Sequence, residues 1–257
     1  MPETPAPSLE THDLTVRFGG HVAVDAVSCA FRPGELTAIV GPNGAGKTTY
    51  FNLISGQIAA SAGRVLLQGQ DITRLSVAAR TARGMGRAFQ LTNLFPRLTV
   101  LENIRLVIQS RAGRGFRLWS TAASHRDLTQ AAEAVLERVR LTHLARQTVA
   151  ALPHGDQRKV EVAVLIAMEP RVFMFDEPTA GMSLDEAPVI LDLIAGIKRD
   201  PSVTVLLVEH KMDVIRSLAD RIMVLHNGAL VADGEPGAVM ASAVVQEAYL
   251  GRELTDV

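Results

Sequence analysis

The segment GPNGAGKT at residues 41–48 carries the clearest chemical pattern in the sequence. It has the spacing G-x-x-x-x-G-K-[ST], and it lies between the apolar run LTAIV and the helix-like stretch KTTYFNLIS. Such a loop curls so that backbone N–H groups face an anion, a lysine reaches the β- and γ-phosphates, and a threonine hydroxyl binds Mg²⁺. We therefore predict a nucleoside triphosphate site, whose residues are Gly41, Pro42, Asn43, Gly44, Ala45, Gly46, Lys47, Thr48 and Thr49.

Two adjacent carboxylates, Asp176 and Glu177, follow the apolar run VFMF. A buried strand that ends in this way directs its last side chains to the rim where α/β sheets bind ligands. There, Asp176 can hold the shell of a Mg²⁺ ion, and Glu177 can accept a proton from an attacking water. A solvated acidic turn is the structural alternative.

The elements around these residues predict an α/β fold. The runs at 36–41, 172–175 and 203–210 read as buried strands, and helical segments begin at Lys47 and at Ser183, where Ser183 and Glu186 have capping-box spacing. Alternation of strands with helices predicts a parallel sheet. Before it, the β-branched segments LTVRF and HVAVDAVSCAF predict an antiparallel opening.

Between the two strand blocks, residues 91–168 show apolar residues at helical spacing. We therefore predict a P-loop NTPase core of the RecA-like type, with an antiparallel β subdomain and an inserted α-helical subdomain. The expected boundaries are a flexible leader at 1–9, a single domain at 10–250 with its core at 10–90 and 169–234 and its helical subdomain at 91–168, and a C-terminal helix and tail at 235–257.

The composition restricts the possible partners. The 26 basic and 27 acidic residues nearly cancel, so no overall field would attract the chain to nucleic acid or to an anionic membrane. One cysteine excludes an internal disulfide framework, and the first residues lack a signal-peptide pattern. The longest apolar stretches, such as Val160 to Met168, are about half of the roughly 20 residues that span a bilayer. We therefore expect a cytoplasmic protein that reaches a membrane only through other subunits.

These motifs, in this order, resemble those of ABC ATPases. GPNGAGKTT is similar to their Walker A loop, Gln90 in RAFQ to their Q-loop, VFMFDEP to their Walker B strand with the catalytic glutamate, and His210 to their switch histidine. The segments RFGGHVAVD, FQLTNLFPRLTVLENI, HGDQRKVEVA and DEPTAGM most resemble ATP-binding subunits of branched-chain (hydrophobic) amino-acid importers. The resemblance extends over nearly the whole chain.

The resemblance implies an ATPase that uses ATP and Mg²⁺ and powers import of a small solute. It implies a catalytic set of Glu177, His210 and Gln90. It implies Thr48, Gln90 and Asp176 as metal ligands. It also implies that Phe18 stacks on the adenine ring. The alternative is that Phe18 is a buried residue of a strand. The implied partners are a second ABC ATPase subunit, as a homo- or heterodimer, integral membrane permease subunits at the inner face of the cell membrane and, indirectly, a solute-binding protein.

The signature loop departs from the family's common LSGGQ and reads LPHGD at 152–156. Pro153 replaces a serine and offers neither a hydroxyl nor an N–H, so we expect His154, Gly155 and Asp156 to contact the partner's nucleotide in trans, chiefly through backbone N–H groups. Many family members have an aspartate that contacts the dimer partner at the position of Ser183, and Asp185 lies two residues later. We assign that contact to neither residue. Apolar residues at 90–104 are the expected permease contact, with ordinary subdomain core as the alternative.

Two other classes of function remain open from the sequence. A soluble ABC ATPase acting on nucleic acid or ribosomes usually carries heptad repeats or a second phosphate loop, and this chain has neither. We therefore expect no nucleic-acid partner. A small-molecule kinase would explain residues 41–48 but leaves Gln90, His210 and the signature loop without a role.

Overall fold

The computed structural model describes residues 6–88, 94–113, 122–183 and 185–250, which fall into two compact units. Of the described residues, the first unit comprises 6–87, 171–178 and 198–250, and the second comprises 88, 94–113, 122–170, 179–183 and 185–197. The predicted subdomain boundaries differ in one segment. Residues 179–197 group with the helical unit, because β7 ends at Asp176 and the chain leaves the first unit after Pro178, whereas the sequence assigned them to the core.

A mainly parallel sheet forms the base of the first unit. In the described residues its order is β10-β9-β3-β8-β7-β6, and β3 pairs in parallel with both β8 and β9. Every residue of β3, β7 and β8 is buried, as expected for a parallel sheet covered on both faces. The predicted buried strands are thus confirmed. The bounds are β3 Leu36–Val40, β6 Met85–Ala88, β7 Val172–Asp176, β8 Thr204–Val208, β9 Arg221–His226 and β10 Ala229–Gly234.

A second, antiparallel sheet confirms the predicted opening of the chain. Its order in the described residues is β2-β1-β4-β5, with bounds β1 Leu9–Phe18, β2 His21–Phe31, β4 Ala62–Leu67 and β5 Gln70–Asp71. Leu9 is buried and pairs with Phe31 and Leu67, and the Ser8 N–H already donates to the Phe31 carbonyl. The leader predicted for residues 1–9 is therefore too long at its end, because Ser8 and Leu9 belong to the sheet.

Helix α1, Lys47–Ser55, begins within the phosphate loop, as predicted, and Gly56 caps its end. Its side chains Tyr50, Phe51, Leu53 and Ile54 are almost completely buried, and they share one apolar core with residues of both sheets. The Tyr50 hydroxyl lies 2.8 Å from the hydroxyl of Thr11 on β1. The helix that carries the phosphate-binding residues is therefore fixed by the core on several sides.

The end of α1 is held by an arginine that follows in the chain. Arg80 lies on α2, Val77–Thr81, and is 2% exposed. Its Nη1 donates to the carbonyl oxygens of Leu53 and Ile54 at 2.8 and 2.5 Å, and its Nη2 to that of Thr73 at 2.7 Å. Burial lowers the pKa of Arg80 from its ordinary value. The buried guanidinium thus supplies donors to carbonyls at the end of α1, where the Leu53 carbonyl also accepts from the Gly56 N–H at 3.2 Å.

Arg80→Met is expected to lower the free energy of unfolding by about 3 kcal/mol, since several buried carbonyls lose their donor. Denaturant unfolding measures the loss, and an m-value equal to that of the wild type shows that stability alone has changed. Arg83→Met is the matched control, because Arg83 is exposed and its Nη1 donates to the Ala79 carbonyl. A loss for Arg80→Met no larger than that of the control would contradict the assignment.

A hairpin and short helices complete the first unit. Asn227 and Gly228 form the β9–β10 turn with φ values of 49° and 81°, as an Asn-Gly hairpin requires. The C-terminal helix is also present, as α9 Ala243–Leu250. The remaining helices of this unit are α7 Met212–Leu218 and α8 Pro236–Met240.

The second unit is helical, as predicted for the segment between the strand blocks. Helix α3, Val100–Arg111, packs against α4, Ala122–Arg138, and against α5, His154–Met168. Thr99 begins α3 with a capping box, in which the Glu102 N–H donates to the Thr99 Oγ and the Thr99 N–H donates to the Glu102 Oε2. These helices share the unit with nearly all of α6, Ala187–Lys198.

Helix α6 begins four residues later than Ser183. The predicted bonds between Ser183 and Glu186 do form, since the Glu186 N–H donates to the Ser183 Oγ at 3.3 Å and the Ser183 N–H donates to the Glu186 carboxylate at 3.1 Å. They close a turn before the helix, and Pro188 lies in the first turn of α6, where proline is tolerated because that N–H has no partner within the helix.

Candidate functional site

The phosphate loop connects β3 to α1, and its backbone leaves no room for side chains at two glycines. A Cβ atom at Gly41 would lie 2.1 Å from the Leu225 carbonyl oxygen. At Gly46, where φ is 96°, it would lie 2.5 Å from the Ala23 carbonyl oxygen. The Gly228 N–H also donates to the Ala45 carbonyl at 3.0 Å. Strands β2, β9 and the Asn-Gly hairpin therefore hold the loop in one curled conformation.

The loop and the start of α1 form a seat for an anion. Lys47 is 8% exposed, and its ammonium group donates to the Gly41 and Pro42 carbonyls at 2.7 and 2.9 Å, within the curl of the loop. Gly46 caps α1 without a side-chain bond, and no acidic residue lies in the first turn. The positive end of the helix is thus uncompensated by side chains. Thr48 is exposed beside it.

The strand ends bring Asp176, Glu177 and His210 to the same edge of the sheet as this loop. Val208 of β8 is level with Ile39 of β3 on one side and with Asp176 of β7 on the other. The phosphate loop follows β3, Glu177 follows Asp176, and His210 stands two residues after Val208. Because the strands are parallel, their carboxyl ends share this edge, where α/β sheets bind ligands.

Glu177 has a strained backbone. Its φ is 48°, in the left-handed region that a glutamate rarely adopts, while its N–H donates to the Val208 carbonyl at 2.9 Å. Residues held in such conformations cost free energy and concentrate at functional sites. The bond to β8 fixes where the side chain leaves the strand, one residue beyond the buried Asp176.

Glu209 is a member of this site that the sequence reasoning missed. Its side chain is completely buried, and its Oε2 accepts hydrogen bonds from the backbone N–H groups of His210 at 2.7 Å and Lys211 at 3.3 Å. The same oxygen lies 3.4 Å from the His210 Nδ1, while the imidazole is 55% exposed. A glutamate that ends a strand of buried apolar residues is the sequence signal, because buried carboxylates need partners.

Arg87 is the second missed residue. It lies on β6, its side chain is 9% exposed, and its Nη2 donates to the Asp176 Oδ2 at 2.6 Å. Burial lowers the pKa of Arg87, and the neighbouring Asp176 opposes that shift. An arginine inside the apolar run MGRAF should have indicated a buried ion pair.

Phe18 stands at the end of β1 and is 51% exposed. The alternative of a buried strand residue is therefore wrong for this position, and the ring is available for stacking. Gln90 lies outside the described residues, so its predicted role rests on the sequence alone.

In the second unit, the signature residues form the start of α5. Pro153 precedes the helix without a side-chain cap, so the N–H groups of His154, Gly155 and Asp156 lie in the uncapped first turn. Gly155 is buried, and a Cβ atom there would lie 2.1 Å from the Glu186 Oε1. The Asp156 carboxylate accepts from the Lys159 ammonium at 2.8 Å.

The segment predicted to contact a permease contains both exposed and buried apolar side chains. Phe95 is 56% exposed, whereas Val100 and Ile104 are completely buried. The start of α3 thus belongs to the subdomain core, as in the alternative interpretation, whereas the exposed Phe95 ring leaves the permease contact a prediction. Residues 90–93 lie outside the described part of the chain.

The fold and this edge of the sheet together define a nucleotide-binding protein of the P-loop class. Residues 24–180 match the family model described as ABC transporter. The chain is 37% identical over 250 residues to the high-affinity branched-chain amino acid transport ATP-binding protein BraF of Pseudomonas aeruginosa. It is 35% identical over 250 residues to LivG of Escherichia coli (strain K12), which has the same description. Each alignment covers 95% of this chain and 98% of the relative.

Two solved structures agree with this result. The ADP conformation of MJ1267, an ATP-binding cassette of an ABC transporter, superimposes with a TM-score of 0.80 at 28% identity, covering 96% of this chain and 99% of the other. A nucleotide-free cassette of an ABC transporter gives 0.79 at 28% identity, with 95% and 98% covered. This chain therefore belongs to the ABC transporter family, as an ATP-binding subunit whose ATPase activity is coupled to transport.

The predicted fold class and family are thus confirmed, and the alternative of an ABC protein acting on nucleic acid finds no support in these relatives. Among the described residues, no helix has the length and apolar character needed to cross a bilayer.

Proposed function

We propose that this subunit powers the import of branched-chain or related hydrophobic amino acids through separate membrane subunits. The observation that carries the proposal is the meeting of the phosphate loop, Asp176-Glu177 and Glu209-His210 at one edge of the parallel sheet. In a chain similar over nearly its whole length to branched-chain transport subunits, this edge suits ATP hydrolysis rather than binding alone.

The phosphate loop binds the triphosphate in this proposal. Backbone N–H groups and the start of α1 receive the β- and γ-phosphates, and the Lys47 ammonium exchanges its loop carbonyls for phosphate oxygens. Phe18 stacks on the adenine, for which its exposed ring is suited. Binding energy from these groups orients the γ-phosphate toward the strand ends.

The donor set at this edge fits Mg²⁺. The Thr48 hydroxyl and the Asp176 carboxylate are oxygen ligands of the kind that Mg²⁺ takes, usually few in number because phosphates and waters complete the shell. Gln90 is the third proposed ligand, from the sequence. When bound, Mg²⁺ neutralises phosphate charge.

Proton transfer is assigned to the residues beyond the buried strands. Glu177 accepts a proton from the attacking water, and its strained, hydrogen-bonded backbone sets where the carboxylate stands. His210 donates a hydrogen bond to the γ-phosphate. Glu209 fixes the turn that carries this imidazole through two backbone bonds.

The site is completed by a second ATPase subunit. The uncapped start of α5 supplies N–H groups from His154 and Gly155, with Asp156 in the same turn, to the γ-phosphate held by that subunit. Because Pro153 lacks the hydroxyl and N–H of the usual serine, this contact depends on the backbone alone. ATP then closes the pair, and hydrolysis reopens it and moves permease subunits at the cytoplasmic face of the membrane, which receive substrate from a solute-binding protein.

Uptake by the assembled transporter tests the substrate class. The chain is purified with its membrane subunits, placed in vesicles with Mg²⁺ and ATP on the side of the ATPase, and supplied with its solute-binding protein. We expect uptake of labelled leucine, isoleucine or valine to depend on ATP and to exceed that of lysine and glutamate. Equal or greater uptake of the charged amino acids would contradict the proposed substrate, and ATP-independent uptake would contradict the proposed role.

A further inference from the structure

One buried guanidinium group connects the helix of the phosphate loop to the strand that carries Asp176. Besides its bond to the Asp176 Oδ2 at 2.6 Å, Arg87 donates through Nη1 to the Asn52 Oδ1 and to the Ser55 Oγ, both at 2.7 Å. Asn52 and Ser55 lie on α1. The group also lies 5.2 Å from the centre of the Phe51 ring on the same helix.

These contacts connect two parts of the proposed Mg²⁺ site, the helix α1 and the end of β7. Helix α1 begins with Lys47 and Thr48, which face the phosphates and the metal in the proposed site, and β7 ends with Asp176. The carboxylate is 7% exposed, so solvent compensates little of its charge. Arginine presents several donors in one rigid plane, and here they are divided between the helix and the strand.

We propose that Arg87 is a positioning residue for the Mg²⁺ site: it holds the Asp176 carboxylate at a fixed place relative to α1, so that Asp176 and Thr48 receive the metal together. This inference rests on the proposed function. Without the guanidinium, the Asp176 carboxylate loses its bond to Arg87 and would turn away from its place at the end of β7. That change would remove a metal-binding oxygen from the edge of the sheet.

The test compares the affinity for ADP with and without Mg²⁺ in the same protein. ADP avoids turnover, and isothermal titration in Mg²⁺ or in EDTA gives two Kd values whose ratio reports the contribution of the metal. We expect this ratio to fall about tenfold in Arg87→Met, as for other losses of an outer-shell partner of a metal ligand. Arg87→Lys should recover part of it, because the charge is kept but not the planar fork.

Arg83→Met is the matched control, since Arg83 is an exposed arginine four residues earlier, and its ratio should equal that of the wild type. A role confined to folding would weaken ADP binding equally in both buffers. A ratio in Arg87→Met that stays within twofold of the wild type, or that rises, would therefore overturn the proposal.

A second variant keeps the test valid if Arg87→Met does not fold. Asn52→Ala combined with Ser55→Ala preserves the ion pair with Asp176 but removes the two bonds to α1. We expect a smaller fall in the same ratio, and an unchanged ratio would overturn the proposal. A wild-type chain whose ADP affinity does not respond to Mg²⁺ at all would instead refute the proposed metal site, and this inference with it.

Discussion

Glu177→Gln is expected to bind ATP with nearly wild-type affinity and to hydrolyse it about 10²–10⁴-fold more slowly, the usual contribution of a general base. The amide has almost the shape of the carboxylate but cannot accept the proton of the attacking water. The phosphate loop, Lys47 and Asp176 are unchanged, so nucleotide binding should remain. Phosphate release by the assembled transporter measures turnover, and equilibrium binding of ATP to the same variant measures affinity.

Glu169→Gln is a matched control for this variant. Glu169 is also a glutamate with a left-handed backbone, with φ at 47°, and its exposed side chain pairs with Arg111. Its replacement should leave turnover unchanged. Near-normal hydrolysis by Glu177→Gln would remove Glu177 from the role of base, and loss of ATP binding would show that it acts on binding instead.

The parts of the site that depend on local pattern were predictable from the sequence. The phosphate loop, the strand before Asp176 and the helix ending at Gly56 are each specified by residues close together in the chain. That β3, β7 and β8 belong to a parallel sheet followed from buried apolar runs that alternate with helical segments, whereas their order in the sheet comes from the structure. For that reason the carboxyl edge of the sheet could be predicted as the nucleotide site from the sequence alone.

The two supporting residues were missed for different reasons, distant partners for Arg87 and unrecognised burial for Glu209. Arg87 bonds to Asn52, Ser55 and Asp176 across 35, 32 and 89 positions, and no short pattern contains these pairs. Glu209 is adjacent to His210, yet its role depends on burial that the string LLVEH does not specify. The charge of each residue was visible, but the low exposure that gives that charge its effect depends on the whole fold.

Domain boundaries failed for a related reason. The segment after Pro178 follows a core strand in sequence, so proximity in the chain assigned it to the core, whereas residues 179–197 group with the helical unit. The position of Glu186 against Gly155 is one consequence. This packing places the Glu186 carboxylate beside the signature loop. Neither the pattern around Ser183 nor the signature motif indicated that contact.

Gly155→Asp is expected to leave ATP binding by this chain intact and to lower turnover of the assembled transporter at least about tenfold. The start of α5 must receive a γ-phosphate, and a fixed anion there repels it in a desolvated interface. Since Pro153 already limits this contact to backbone N–H groups, no hydroxyl remains to compensate. ATP binding and phosphate release, measured on the same preparation, separate the two effects.

The clash with Glu186 requires its own control, because the new Cβ atom would lie 2.1 Å from the Glu186 Oε1. Gly155→Asp combined with Glu186→Ala removes that clash and exchanges the neighbouring Glu186 carboxylate for one carried in the first turn of α5 itself, so turnover should stay low if the γ-phosphate contact is what fails. Gly196→Asp, at a glycine of α6 with open space around it, should leave turnover unchanged. Recovery of turnover in the double variant would mean that Gly155 serves only local packing, and the trans contact would then have to be assigned elsewhere.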